Sequence, residues 1–130
     1  MIVILNTDSM KPIYLQIAEW LEGEILSETI KEEERIYSQY QLAEMFTINP
    51  ATAAKGLNIL ADEGIVYKKR GLGMFVSPNA KKFILTKRRS QVLGQMIKEL
   101  VMEANRLDVG ESELNRMIQQ VRKENEEEQL

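Results

Sequence analysis

The chain has 130 residues, of which 44% are hydrophobic and 28% charged, and this suits one domain with an appendage. It contains no cysteine and no histidine, which excludes disulfides, thiolate chemistry and the commonest general base and metal ligand. Because the apolar start, residues 1–5, is too short for a membrane span and lacks a basic leader, we expect a cytoplasmic protein with no metal or cofactor.

The net charge of −3 is unevenly distributed along the chain. Residues 35–89 hold ten basic and three acidic side chains, whereas the remainder holds seven basic and seventeen acidic ones. A basic middle segment between acidic flanks predicts one surface that binds a polyanion. The net negative charge of the whole chain therefore does not exclude a nucleic-acid partner.

Apolar spacing predicts a short strand, a first helix and a connection in the N-terminal third. The β-branched residues 2–5 are typical of a strand. Pro12 suits the first turn of a helix over residues 12–27, whose apolar positions recur every three or four residues. The acidic residues 28–37 indicate a solvated connection, and their adjacent glutamates are weak evidence for a cation site.

Two capped helices joined by a three-residue turn are predicted over residues 38–64. Ser38 and Gln41 have the spacing of a capping box at the start of the first helix. Asn49 is a favourable N-cap and Pro50 a favourable first residue for the second helix. Gly64 can adopt the positive φ that ends a helix.

The next segment predicts a β-hairpin. Residues 65–70 and 74–77 are β-rich and flank a glycine-containing loop. We expect the hairpin to lie on the strand of residues 2–5 in a small three-stranded sheet. Helix, turn, helix and hairpin together predict a winged helix-turn-helix domain over residues 1–78.

Residues 79–130 are predicted to form two helices separated by a break at residues 108–111, with Ser112 capping the second. The polar tail from Lys123 onward is expected to fray. These helices are too few to enclose a core, so their apolar stripe covers either the first domain or a partner copy, and a homodimer seam is favoured. The fold class is thus mainly α with a small β-wing. The predicted dimerisation residues are Leu93, Met96, Ile97, Leu100, Val101, Leu107, Leu114, Met117, Ile118 and Val121.

The outward residues of the helix-turn-helix and the wing suit double-stranded DNA. A helix in the major groove has its N-terminal residues nearest the base edges, where Asn, Thr, Ala and Lys each have a suitable base partner. Free N–H groups at a helix start, and cations beside a glycine turn, suit phosphate or minor-groove contact. The predicted DNA-binding residues are Ser38, Gln39, Tyr40, Asn49, Ala51, Thr52, Lys55, Asn58, Lys68, Arg70, Gly71, Leu72 and Gly73.

The same features have ordinary structural explanations. The polar positions are also typical of a solvated helix face. The lysines of the strand are also typical of an edge strand that is protected against aggregation. The main alternative function is a winged-helix protein-interaction module without specific DNA binding. An enzyme is not expected, because the chain has no His, Cys, phosphate-cradling glycine motif or convincing paired-carboxylate pocket.

Over about residues 9–78 the sequence resembles the GntR family of bacterial transcription regulators. The resemblance rests on PIY-x-QI, the LAE helix, NP-x-T-x-A-K, the EG turn and RG-x-G-x-FV in that order. With its short tail, the NP-x-T-x-A-K form is similar to the YtrA-type subfamily, whose members lack a large effector domain and typically dimerise through two C-terminal helices. The resemblance implies a homodimeric, autoregulatory repressor of an inverted-repeat operator; no effector site is evident.

The chain departs from the family pattern within its predicted contacts. The family usually has Leu-Pro-Ser followed two places on by an Arg that contacts DNA, whereas here Tyr37 stands at the Pro position and Tyr40 at the Arg position. Ala54 stands where many members have Arg, and Leu72 where a basic residue is frequent. Fewer charged contacts imply weaker binding and a shallower salt dependence than in a better-charged relative.

Overall fold

The structure, a computed structural model, describes residues 5–6 and 10–129. The strand predicted at residues 2–5 lies, apart from Leu5, outside the described residues. The chain divides into two compact units, the first ending at Lys87 and the second beginning at Arg88. The first unit runs past the predicted boundary at residue 78, because Ala80 and Ile84 belong to its core.

The first unit holds the predicted helix-turn-helix and hairpin. Helix α3 packs against α1, α2 and β1. Trp20 of α1 lies edge-on to the ring of Phe46 of α2 at a centroid distance of 5.0 Å, a favourable aromatic geometry. The elements are α1 (Ile13–Leu26), α2 (Gln39–Phe46), α3 (Pro50–Asp62), β1 (Val66–Lys69), β2 (Gly73–Val76) and α4 (Ala80–Arg88).

Local capping chemistry sets the helix boundaries. The Ser38 Oγ accepts from the Gln41 N–H at 3.1 Å, and the Gln41 Oε1 accepts from the Ser38 N–H at 2.8 Å, which completes the predicted capping box. The Asn49 Oδ1 accepts from the Ala51 N–H at 2.8 Å. Gly64 follows α3 with φ +75°, as expected for a residue that ends a helix. These caps confirm the helix-turn-helix predicted from the sequence.

The hairpin pairs antiparallel, with Val66 opposite Val76 and Lys69 opposite Gly73. Residues 33–36, predicted to be a solvated connection, instead lie along the other edge of β2. The Ile36 N–H donates to the Met74 carbonyl at 2.9 Å, and the Val76 N–H to the Glu34 carbonyl at 2.9 Å. The acidic composition of this segment did not indicate the pairing. Of residues 33–36, Ile36 is the one whose side chain is buried.

The second unit contains a π-helical turn (Arg89–Leu93), α5 (Gly94–Arg106) and α6 (Glu111–Glu128). The break between α5 and α6 agrees with the prediction, but two details of α6 were wrong. Gly110 rather than Ser112 precedes the helix, and the tail is helical to Glu128 rather than frayed. Acidic residues in the first turn and side-chain pairs such as Gln120 with Glu124 (3.2 Å) stabilise this helix.

The apolar stripe of the second unit is mostly exposed. Among the described residues of this unit, only Ala104 is buried. Leu114 is half-buried. The exposed members of the predicted seam are Leu93, Met96, Ile97, Leu100, Val101, Leu107, Met117, Ile118 and Val121.

No helix within the described part of the chain is both long enough and apolar enough to span a bilayer.

Candidate nucleic-acid interface

A cleft of about 250 Å³ joins the start of α2, the outward side of α3 and the hairpin. It gathers residues from three separate segments into one concave surface of the first unit. Its charged lining residues, Arg35 and Lys68, are both cations. Five predicted DNA-binding residues line it, namely Ser38, Gln39, Tyr40, Asn58 and Lys68. The other lining residues are Arg35, Ile36, Tyr37, Ala54, Leu57 and Met74.

The predicted contacts on the first turns of α3 lie outside this lining. Ala51 and Lys55 are exposed and Thr52 is half-buried. The Lys55 ammonium lies 4.1 Å from the centroid of the Tyr14 ring, a cation–π contact that holds it beside α1. The side-chain oxygen of Asn49 caps the helix, so its side-chain N–H groups are the ones that can donate to a base.

Sequence reasoning did not identify Tyr14 as part of this surface. The contact joins α1 to α3, and nothing in the local spacing of either helix indicates it. The one available signal was the position of Tyr14 in the PIY-x-QI stretch, at the first turn of α1.

The wing cations separate as strand alternation predicts. Lys68 is exposed, whereas the Lys69 ammonium lies 4.2 Å from the centroid of the Phe75 ring on the other face. Arg70, Gly71 and Leu72 form the exposed hairpin loop, and Leu72 is 60% exposed. Lys68 and the loop are therefore presented to solvent, while Lys69 is held against the sheet.

Arg35 is the second residue that sequence reasoning missed. It was counted as a basic residue but not as a contact, because its pairing opposite Phe75 is not evident from the sequence. Gly73 has φ +106°, and a Cβ at this glycine would lie 3.0 Å from the Arg35 Nε and 3.4 Å from its Nη2. The guanidinium therefore rests directly on the bare Gly73 backbone.

A hydrogen bond fixes residues 33–36 to the hairpin on the side of β1 as well. The Tyr67 hydroxyl donates to the Glu33 Oε2 at 2.7 Å. This bond, followed by burial and the negative charge of Glu33, raises the pKa of Tyr67 above its ordinary value. The segment that bears Arg35 is thus attached to both strands of the wing.

Three of the four departures from the family pattern meet in the same cleft, and the fourth, Leu72, lies in the hairpin loop. Tyr40 is 69% exposed, and both Tyr40 and Ala54 line the space that Arg35 and Lys68 share. Tyr37, at the usual Pro position, lines it too. The cleft is therefore where this chain differs most from the pattern that it resembles.

Comparisons with known proteins agree with this geometry. The family model described as bacterial regulatory proteins, gntR family, matches residues 13–76. The HTH-type transcriptional repressor YtrA of Bacillus subtilis (strain 168) is 29% identical over 113 residues, which cover 87% of this chain and 86% of that repressor. The match thus extends beyond the winged helix into the C-terminal helices.

Solved structures give the same result. A GntR-family regulator from Bacteroides thetaiotaomicron is 29% identical, with a TM-score of 0.74 over 87% of this chain and 98% of that one. AraR(DBD), solved in complex with operator ORX1, is 25% identical, with a TM-score of 0.54 over 58% of this chain and 96% of that one.

Proposed function

Through residues 13–76 the chain belongs to the GntR family of bacterial regulatory proteins, and on that premise we propose that it is a homodimeric transcriptional repressor of an inverted-repeat operator. The single observation that carries the DNA-binding part is the cleft, which gathers five of the predicted contacts, the cation Lys68 among them, and is also lined by Arg35. The repressor YtrA, matched over most of both chains, supports the regulatory role. DNA as the partner places its action in the cytoplasm.

The proposed DNA contacts fall into two groups, those to base edges and those to backbone phosphates. Ala51, Thr52 and Lys55 lie on the first turns of α3, the part of a recognition helix that is nearest the base edges in the major groove. The N–H groups at the start of α2 and the exposed wing cations Lys68 and Arg70 suit phosphates, which fix register without reading sequence. The Tyr14 ring restricts the Lys55 ammonium to one region, which lowers the entropy lost when it binds.

Lys55→Ala and Arg70→Ala are expected to weaken binding in different ways. Loss of Lys55 removes a base-edge contact worth about 1–3 kcal/mol and relaxes specificity at one position. Loss of Arg70 removes a phosphate contact, so affinity falls on all sequences and the salt slope decreases by about 1. The measurement is fluorescence anisotropy against salt concentration, on duplexes selected from a random pool by the purified protein.

Lys123→Ala, which removes an exposed cation from α6, is the control and should bind as the wild type does. Wild-type affinity in both test variants would show that the proposed surface is wrong. A wild-type protein that prefers no duplex at modest salt, but retains a stable protein partner in a pull-down, would favour the protein-interaction module instead.

The exposed apolar side chains of the second unit support the proposed homodimer. Nine of the ten predicted seam residues are exposed, and they are all large and apolar. A contiguous apolar face of this kind marks an interaction surface. A second copy presents the same face, so the two can pair about a two-fold axis, as an inverted-repeat operator requires. We therefore assign DNA binding to the first unit and dimerisation to the second.

Val101→Glu is expected to convert the dimer to a monomer at micromolar concentration. Val101 is 44% exposed on the stripe of α5, and the substitution buries a carboxylate without a partner in the seam. The monomer should also bind a full operator more weakly, because it loses simultaneous engagement of two half-sites. Sedimentation velocity measures the oligomeric state.

Gln119→Glu adds the same charge to an exposed position of α6, turned away from that helix's stripe by the 100° step per residue. It should remain dimeric. A Val101→Glu variant that sediments like Gln119→Glu would show that Val101 does not lie in the seam.

A further inference from the structure

We propose that Leu72 is an apolar wedge that enters the minor groove of the operator and partly unstacks one base step, an inference that rests on the proposed DNA binding. Leu72 lies in the exposed hairpin loop between β1 and β2 and is itself 60% exposed. It is not among the residues that form the hydrophobic core of the first unit or pack against it. Its apolar side chain therefore contributes little to the fold.

The backbone of the loop holds this side chain at a narrow tip. The Leu72 N–H donates to the Lys69 carbonyl at 2.9 Å, which closes the turn. The residues on either side, Gly71 and Gly73, have φ +78° and +106°, a region that glycine adopts without strain. Neither glycine carries a side chain, so Leu72 is flanked by bare backbone. Because the minor groove of a DNA duplex is only about 6 Å wide, a slender tip suits it better than a loop with bulky neighbours.

Positive charge lies on both faces of the hairpin behind this tip. Lys68 is exposed on the face that borders the cleft. Lys69 points to the opposite face, where its ammonium lies over the Phe75 ring. Because Gly73 is paired with Lys69, the Arg35 guanidinium, whose Nε lies 3.0 Å from a Cβ at Gly73, is on that second face as well. A groove has phosphates on both walls, so cations on both faces suit a hairpin inserted into it.

The charge of the hairpin is available to DNA. In the part of the chain that the structure describes, no carboxylate forms an ion pair with Arg35, Lys68, Lys69 or Arg70. The cations can therefore bind the phosphates of both strands while the apolar tip meets the stacked bases between them. Apolar side chains that insert between bases in this way kink the duplex. Since pyrimidine–purine steps unstack most easily, we expect such a step beneath the wing in each half-site.

Leu72→Ala removes the wedge without removing a charge. In anisotropy titrations on a selected operator duplex, it should bind roughly tenfold more weakly than wild type, the lower end for burial of a leucine side chain. The salt slope should be unchanged, because no phosphate contact is lost. Energy transfer between dyes at the two ends of the duplex should show that the variant bends the operator less. Leu72→Met keeps an apolar side chain that can insert, so it should retain both affinity and bend.

Leu85→Ala is the matched control, because Leu85 is an exposed leucine of α4 in the same unit and lies outside the hairpin. It should bind and bend the operator as wild type does. Leu72→Ala should unfold at the same temperature as wild type, because Leu72 is outside the core. A weaker complex then reports the lost contact with DNA.

A second readout locates the base step. Aminopurine, a fluorescent adenine analogue that brightens when it is unstacked, is placed at one operator adenine at a time. Wild type should brighten it at one step per half-site, and Leu72→Ala should not. Wild-type affinity and bending in Leu72→Ala, equal losses in Leu85→Ala, or no unstacked step with wild type would overturn the wedge and leave DNA binding intact. A wild type that prefers no selected duplex would overturn the proposed function as well.

Discussion

Lys87→Met is expected to destabilise the protein by about 3–5 kcal/mol, because it leaves a buried carboxylate without its cation. The Lys87 Nζ lies 2.5 Å from the Oε2 of Glu22 and 2.5 Å from the Oε2 of Glu63. Glu22 is only 2% exposed and the Lys87 side chain 19%. The ion pair therefore lies mostly out of water, where solvent does not screen the lost charge. One ammonium joins α1, α4 and the residue after α3.

The same cluster predicts a loss of stability at alkaline pH. Burial lowers the pKa of Lys87, but hydrogen bonds to Glu22 and Glu63 outweigh it and hold the pKa above the ordinary 10.5. A cation whose pKa is raised by folding contributes its full stability below pH 10.5 and loses it as the pH rises through the folded value. The free energy of unfolding of wild type should therefore fall more steeply above pH 10.5 than that of Lys87→Met. The raised pKa of Tyr67 acts alike in both proteins and cancels in the comparison.

Urea unfolding at pH 7 measures the main effect, and Lys82→Met is its control. Lys82 is an exposed cation of the same helix, and its loss should change stability by less than about 0.5 kcal/mol. Adding Glu22→Gln to Lys87→Met should recover much of the loss, since the double variant no longer holds a carboxylate charge out of water beside the missing ammonium. If Lys87→Met proves as stable as Lys82→Met, the cluster does not hold α4 in solution.

The features that the sequence predicted well depend on interactions between residues that are close together in the chain. The caps at Ser38 and Asn49 and the proline after Asn49 define the helix-turn-helix by contacts within three residues. The glycines around Leu72 define the hairpin in the same way. Apolar spacing then decides which faces are buried, and the core formed as that spacing predicts.

The features that were missed depend on contacts between distant segments. The hydrogen bond that joins Tyr67 to Glu33 spans 34 residues, and that from Lys87 to Glu63 spans 24. Nothing in the acidic sequence of residues 33–36 indicates that their backbone pairs with β2. The position of Arg35 therefore depends on the packing of the wing, and that of the Tyr14 ring beneath Lys55 depends on the packing of α1 against α3.

Helices α1 and α3 lie close together at Gly56. A Cβ here would lie 2.9 Å from the carbonyl oxygen of Tyr14 and 3.3 Å from the Ile17 Cγ2. The first of these is backbone, which cannot rotate away, so the two helices must separate to admit a methyl group. Since Tyr14 also holds the ammonium of Lys55, this separation would displace a proposed DNA contact together with the core.

Gly56→Ala is accordingly expected to destabilise the first unit by about 3 kcal/mol, the upper end for overpacking, and to weaken operator binding even where the variant is folded. Gly23→Ala is the matched control, because a Cβ there meets no described atom within 4 Å. In a helix interior it should stabilise by about 0.5–1 kcal/mol. Urea unfolding and anisotropy of both variants separate the two effects. Equal stabilisation by both alanines would show that α1 and α3 tolerate a wider spacing, and that Gly56 does not set the position of the recognition helix.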